Sequence, residues 1–221
     1  MARNKHNDAR ARRIGLILFA ACAAVAIPTL IVLFSIAAKS SSPWFGQYDP
    51  DAHPAYNFSL TDQSGNPVRL QDLRGQVVLL CFGFTRCPNI CPTTLGNLAA
   101  VFRKLPPAAQ ERTRVVFVSV DERDSPASLK EYVSFFNERF IGLTGAPGDI
   151  GTTARAYGAF FRKAAAVGSD DYMIDHSTYT HLIDPDGNLR VLYRFEQLPE
   201  TDKIAEDIQR VLGMQPSGKR P

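Results

Sequence analysis

Cys87 and Cys91 stand four residues apart in the stretch Gly83-Phe84-Thr85-Arg86-Cys87-Pro88-Asn89-Ile90-Cys91-Pro92. Two thiols at that spacing have two chemistries open to them. As thiolates they bind a soft metal ion, and as a pair they form or exchange a disulfide. If both fall on the opening turn of a helix, positions i and i+4 share one face and both sulfurs reach one ion. Two thiolates alone make an incomplete metal site, so a histidine is sought as a third ligand. The chain has four: His6, His53, His176 and His181. His6 lies in a basic N-terminal arm and His53 in a polar Pro-containing stretch, where both read as solvated bystanders. His176 stands in Tyr172-Met173-Ile174-Asp175-His176-Ser177, a loop just before an expected strand. His181 lies five residues on, within that strand, and points to its opposite face if the strand is regular.

The elements that must position these groups follow from hydrophobic pattern. Val77-Val78-Leu79-Leu80-Cys81-Phe82, bounded by Gly75 and Gly83, reads as a buried strand. Leu95, Leu98, Ala99, Phe102 and Leu105 then repeat at helical spacing and predict a helix over 93–105. The cysteine pair therefore sits where a strand ends and a helix begins, and there free amide groups and the helix dipole favour thiolate. Val115 to Val120 is a second buried strand. Ser125-Pro126 opens a helix with Leu129, Tyr132, Val133, Phe136 and Phe140 as its apolar stripe. Asn57 to Leu60 and Val68 to Leu70 suggest a small hairpin. Ile141 to Leu143 is read as a short strand and 150–161 as a helix. Tyr179 to Ile183 and Leu189 to Phe195 bracket Asp184-Pro185-Asp186-Gly187-Asn188 as a second hairpin. Ile204, Ile208, Val211 and Leu212 mark a closing helix. This order is that of a thioredoxin-like α/β domain. In that fold the opening of the late hairpin faces the loop after the first core strand, which brings His176 toward the cysteines.

Charge is distributed unevenly over the 221 residues. Residues 1–13 carry Arg3, Lys5, Arg10, Arg12 and Arg13 against Asp8, which leaves 20 basic and 21 acidic residues for the remainder. No basic surface points to nucleic acid. After the arm, Ile14 to Ala38 runs 25 residues without a charge. At about 1.5 Å per residue, such a helix crosses a hydrocarbon core of roughly 30 Å. The basic flank stays in the cytoplasm, so everything after Lys39 is expected on the far side. The apolar run exceeds a usual signal-peptide core and continues long past Cys22, which argues for an uncleaved anchor over cleavage or lipidation. The expected organisation is a basic arm at 1–13, a transmembrane anchor at 14–38 and a linker at 39–56, with Trp44 near the membrane interface. The folded domain is placed at 57–213 and a polar tail at 214–221. The expected location is a bacterial inner membrane, crossed once, with the C-terminal domain in the periplasm. There Cys87 and Cys91 must be kept reduced, or cycle, or form a structural disulfide. Cys22 reads as an apolar filler and Cys81 as a buried hydrophobe.

A Cys-Cys-His set suits copper, since thiolates favour Cu(I) and imidazole accepts either oxidation state. Zinc would accept it too, although a closed structural zinc site has four protein ligands. At these residues the sequence resembles the Sco/SenC family of membrane-anchored copper proteins that help assemble cytochrome c oxidase. The resemblance spans about residues 55–213. It rests on Cys87-Pro88-x-x-Cys91-Pro92, on Asp175-His176-Ser177 followed by Leu182-Ile183-Asp184-Pro185-Asp186-Gly187, and on Val118-Ser119-Val120-Asp121-Glu122-Arg123-Asp124-Ser125-Pro126. The resemblance implies that Cys87, Cys91 and His176 bind copper, as Cu(I) with Cu(II) as a second state. It also implies that the recipient is the dinuclear copper centre of oxidase subunit II. The expected partners are that subunit, an upstream copper donor and a thiol reductant of thioredoxin type. Asn89 stands where the family often has aspartate and Arg86 where it often has histidine, which makes the local charge more positive.

Asp121 is a candidate for orienting the site or docking a partner, and Asp175 for supporting the His176 ring. The expected function is thus a copper metallochaperone, which needs no bond-making catalysis. The rival is a thiol–disulfide oxidoreductase that uses a Cys87–Cys91 disulfide to keep the oxidase subunit's cysteines reduced. Two features weigh against that as the sole role: the C-x3-C spacing, and the lack of a proline before the Tyr179 strand. A peroxidase would place its threonine three residues before the cysteine, whereas Thr85 is two before Cys87. A structural disulfide in an inert binding module would leave His176 without a purpose.

Overall fold

The computed structural model describes residues 22, 24–30, 43–164 and 172–214. The chain divides into two compact units, residues 1–43 and 44–221. Of the first, Cys22 and residues 24–30 are described, and these are helical. Among the described residues no helix is long and apolar enough to cross a membrane. The basic arm at 1–13 and most of the anchor expected over 14–38 lie outside the described residues, as do 39–42 and 215–221.

The second unit is built on an eight-stranded mixed sheet. Its strands are β1 (Gln47–Tyr48), β2 (Ser59–Asp62), β3 (Pro67–Arg69), β4 (Val77–Gly83), β5 (Thr113–Ser119), β6 (Ile141–Thr144), β9 (Thr180–Ile183) and β10 (Leu189–Tyr193). A separate two-stranded ribbon pairs β7 (Phe161–Lys163) with β8 (Ile174–His176). The sheet order is β1-β10-β9-β4-β5-β6-β2-β3. At its centre β4 pairs in parallel with β5, and β5 with β6, while β9 runs antiparallel to β4. All residues of β4 are buried, as a strand covered on both faces must be.

Cross-strand partners share a face, so Cys81, opposite Phe117 and Thr180, looks to one side, and Leu80, opposite His181, to the other. The Cys81 side carries helices α1 (Ile90–Lys104), α3 (Pro126–Phe136) and α5 (Thr201–Val211). There Phe117 packs on Tyr132 of α3 with ring centroids 5.6 Å apart. The short α2 (Pro107–Glu111) leads from α1 into β5. On the opposite side Tyr157, just after α4 (Pro147–Ala156), packs against Phe82 and His181.

Several boundaries differ from the sequence expectation for identifiable reasons. Helix α1 begins at Ile90, not at 93, because Pro92 falls in the first turn, whose N–H groups have no helical acceptor in any case. Helix α3 ends at Phe136, and Phe140 leaves its stripe to pack edge-on to Phe102. The helix expected over 150–161 runs over 147–156: Pro147 opens it, and Gly158 at φ +63° turns the chain away, freeing Phe161 for β7. The stretch 44–56, expected as linker, is woven into the sheet edge. Its β1 pairs with β10, and Trp44 stacks on Tyr48 at 4.4 Å. The amides of Phe45 and Gly46 donate to the buried carboxylate of Asp207.

Candidate metal centre

The centre lies at the carboxyl end of β4, where the chain leaves the sheet through Phe84 to Asn89 and enters α1. Cys91 occupies the second position of the helix and is 2% exposed. Cys87 lies before the N-cap residue Asn89 and is half-buried, so the two do not share one helical turn as expected. They converge because the loop folds back: the Cys91 amide points at the Cys87 sulfur, 3.4 Å away. This approach requires Gly83. A Cβ there would lie 2.7 Å from Cys91 Sγ and 2.6 Å from the Phe117 ring.

The loop is pinned by an aspartate whose importance the sequence reading did not single out. Asp124, 5% exposed, accepts hydrogen bonds from the Thr85 amide (2.8 Å), the Thr85 hydroxyl (2.6 Å) and the Ser119 hydroxyl (2.7 Å). It ties the start of the cysteine loop to the end of β5. Its one signal in the sequence is the acidic stretch Asp121-Glu122-Arg123-Asp124 after β5, which singles out neither aspartate.

His176 arrives on β8, a strand and not the expected loop. Its Nε2 lies 3.4 Å from Cys91 Sγ. Its Nδ1 lies 2.9 Å from the Ser177 carbonyl. A carbonyl only accepts, so Nδ1 carries the proton and Nε2 presents its lone pair to the sulfurs. The Phe84 ring holds the imidazole edge-on at 5.7 Å. The donor atoms of Cys87, Cys91 and His176 all lie within 4.8 Å of one another, and they are the one such potential metal-binding group among the described residues.

Asp175 does not support this ring. It is exposed and pairs with Arg162 at 3.1 Å, because alternation along β8 turns it away from His176. Asp121 is no docking residue either, being 2% exposed. Its carboxylate accepts from Arg123 at 2.6 Å and from the Tyr172 hydroxyl at 3.1 Å. Burial alone would raise its pKa, but these hydrogen bonds and the Arg123 charge outweigh it and hold the carboxyl below its ordinary range. Arg123 in turn donates to the Tyr172 carbonyl and stacks on its ring at 3.7 Å. This cluster anchors the strand that carries His176. Of the remaining histidines, His53 is exposed and paired with Asp49. His181 is buried on the far face of the sheet, and His6 lies outside the described residues.

The two thiols divide their protons unequally. Cys87 is held well below the ordinary thiol range, chiefly by a hydrogen bond from Cys91, with the amides of Cys91 and Asn89 adding to it against the effect of burial. Cys91 is pushed up, because it shares its proton with the Cys87 thiolate and is buried. Two soft sulfurs and one imidazole nitrogen fit a soft monovalent ion, and three donors leave an open side.

The match to known proteins agrees with this geometry. Residues 47–213 match the SCO1/SenC family model. The chain belongs to that family. It is 38% identical over 156 residues to the mitochondrial SCO2 homologue of Mus musculus, covering 70% of this chain and 60% of the mouse protein. It spans between 57% and 64% of the length of the first curated relatives it matches. Apo Sco1 of Thermus thermophilus superposes with a TM-score of 0.70 at 40% identity, covering 76% of this chain and 96% of that one. Copper-bound ScoI of Arabidopsis thaliana gives 0.63 at 37% identity, with coverage of 71% and 98%. BsSco, a cytochrome c oxidase assembly protein of the Sco family with a disulfide switch, gives 0.59 at 26% identity, with coverage of 76% and 98%. The fold of this SCO1/SenC chain is thus the thioredoxin-like one of its family.

Proposed function

We propose that this chain is a membrane-anchored copper metallochaperone. In this reading it carries Cu(I) on Cys87, Cys91 and His176 and delivers it to the dinuclear copper centre of cytochrome c oxidase subunit II. The observation that carries the reading is the convergence of two soft sulfurs and an imidazole nitrogen within 4.8 Å, with His176 Nε2 turned inward. The copper bound by the Arabidopsis relative supports the choice of cargo. The anchor over 14–38 would hold the domain on the periplasmic side of a bacterial inner membrane. An upstream donor would load the site, and a reductant of thioredoxin type would keep the thiols reduced.

The order of release follows from exposure. Cys87 and His176 border a cleft of about 310 Å³, whereas Cys91 is buried behind them. An acceptor thiolate enters at the cleft, displaces His176 or Cys87 first and Cys91 last. Each step exchanges one ligand for another, and no electron is transferred.

The unequal thiols favour a second reading, a thiol–disulfide oxidoreductase that reduces the oxidase subunit's cysteines. There the Cys87 thiolate attacks a substrate disulfide, and Cys91 resolves the mixed disulfide. The substrate leaves as a dithiol and Cys87–Cys91 as a disulfide, to be reduced by the thioredoxin-type partner. The disulfide switch of BsSco supports it.

Copper stoichiometry on the reduced full chain in detergent separates the two. The carrier reading expects about one Cu(I) per chain, lost or much weakened in His176→Ala and in Cys87→Ala. Normal binding by His176→Ala, together with rapid disulfide exchange by the cysteines, would overturn it in favour of the oxidoreductase.

A further inference from the structure

Three residues before His176 stands a methionine that contributes nothing to the core. Met173 is 46% exposed, whereas its neighbour Ile174 is 6% exposed. Met214, near the other end of the chain, packs against the core as methionines commonly do. Met173 lines the cleft of about 310 Å³ that also borders Cys87, Asn89 and His176. The cleft lies between β8 and the loop Phe84 to Asn89 and borders two of the three donors, Cys87 and His176.

The backbone that presents this side chain is fixed on both sides. Its carbonyl accepts from the Ala164 amide at 2.8 Å. Ile174 pairs with Lys163 across the ribbon. Tyr172 is clamped by Arg123 through its carbonyl at 2.9 Å and its ring at 3.7 Å, and its hydroxyl is held by Asp121. An exposed apolar side chain on an anchored backbone, at the mouth of a soft-donor site, has a chemical use that a leucine there would lack.

We propose that Met173 is a transient thioether ligand for Cu(I), taking up the ion as it enters or leaves the Cys87, Cys91 and His176 set. This rests on the carrier reading above and names a further ligand for it. A thioether sulfur is soft and favours Cu(I). It is neutral and carries no proton, so the step at Met173 neither releases nor consumes one. Cu(I) gains a lone pair from the Met173 sulfur as it loses one from His176 or Cys87, and passes on when an acceptor thiolate displaces the thioether. Thiolate binds more strongly, so the ion does not rest at Met173.

The test uses the full chain in detergent, reduced, anaerobic and loaded with Cu(I), with transfer to the chelator bicinchoninate followed by absorbance. Met173→Leu keeps the size and polarity of the side chain and removes the donor. Transfer from it is expected to slow roughly tenfold, equivalent to about 1.4 kcal/mol of barrier. In the wild-type chain labelled with methyl-13C methionine, the Met173 methyl resonance is expected to shift or broaden on Cu(I) addition, and that of Met214 to stay unchanged. Equal transfer rates for the two chains, or a stationary Met173 methyl, would overturn the proposal and leave the carrier reading standing. A wild-type chain that takes up no Cu(I) would overturn both.

Discussion

The core strands of this molecule carry a second cysteine–histidine neighbourhood, and its fate contrasts with that of the metal centre. Cys81 and His181 lie on adjacent strands, one register position apart, yet alternation sends the thiol to the α1 side and the imidazole to the Tyr157 side. Burial alone pushes the Cys81 thiol up to about 12 and the His181 imidazole down to about 4. Both groups are buried, their charged forms are disfavoured, and they cannot meet on one ion. At the carboxyl end of the same β4, Cys91 and the backbone amides of Cys91 and Asn89 hold the Cys87 pKa well below the ordinary thiol range, and the three side chains converge. Residue type is common to the two regions. Reactivity differs because the strand ends in one of them: there the backbone supplies unpaired N–H groups, and a loop can bend donors toward each other.

The largest expected effect comes from closing the space that lets the site converge. Gly83→Val puts a branched side chain where even a Cβ would press on Cys91 Sγ and the Phe117 ring. Overpacking of this kind costs about 1–3 kcal/mol, and the displacement here falls on a metal donor. Cu(I) uptake should be abolished even where circular dichroism shows the domain still folded. Unimpaired uptake would mean that Cys91 is not held where the geometry puts it.

The next effect reads the contrast directly, thiol against thiol. Under iodoacetamide at neutral pH, Cys87 should react more than about a hundredfold faster than Cys81, as peptide mapping by mass spectrometry would show. Because the Cys87 pKa is lowered, its thiolate survives as pH falls, and its labelling should persist to about pH 5, where an ordinary thiol is nearly all protonated. Labelling of Cys87 that rises with pH like a free thiol would remove the claimed asymmetry. Comparable labelling of Cys81 would show that β4 opens locally.

The extent to which this was legible in sequence divides along the same line. The strand over 77–82, the hairpin around Asp184 to Asn188 and the cap-then-proline start at Ser125-Pro126 were legible because local pattern and turn chemistry decide them. The pairing of His176 with the cysteines was also foreseen, since it follows from which end of the sheet a late hairpin opens. What escaped was long-range polar wiring. Nothing local distinguishes Asp124, which binds Thr85 across 39 residues, from Asp121, which is turned to Arg123 and Tyr172. Likewise Asp175 was expected on the imidazole by adjacency, but strand alternation gave that bond to the Ser177 carbonyl. The edge strand β1 escaped because Gln47–Tyr48 is too short to show a period, and its partner β10 lies far along the chain.

The smallest expected effect concerns the inert member of the comparison. His181 is held toward the neutral form when folded because burial penalises its charged form. Its folded pKa of about 4 lies below the unfolded value of about 6.5, so the unfolded chain binds the proton more tightly in between. The stabilising difference is therefore fully present above about pH 6.5 and is lost as pH falls toward about 4, to an upper bound of about 3 kcal/mol. His181→Leu removes the proton site and keeps the apolar packing. Urea midpoints at about pH 7.5 and pH 4.5 should fall further apart for the wild type than for the variant. Cu(I) uptake at neutral pH should be the same for both, since His181 faces away from the donors. Equal pH dependence of the two midpoints would mean that His181 is hydrated and can take up a proton in the folded chain. Altered copper uptake would mean that the two faces of β9 are coupled, and the sheet would no longer separate the inert neighbourhood from the reactive one.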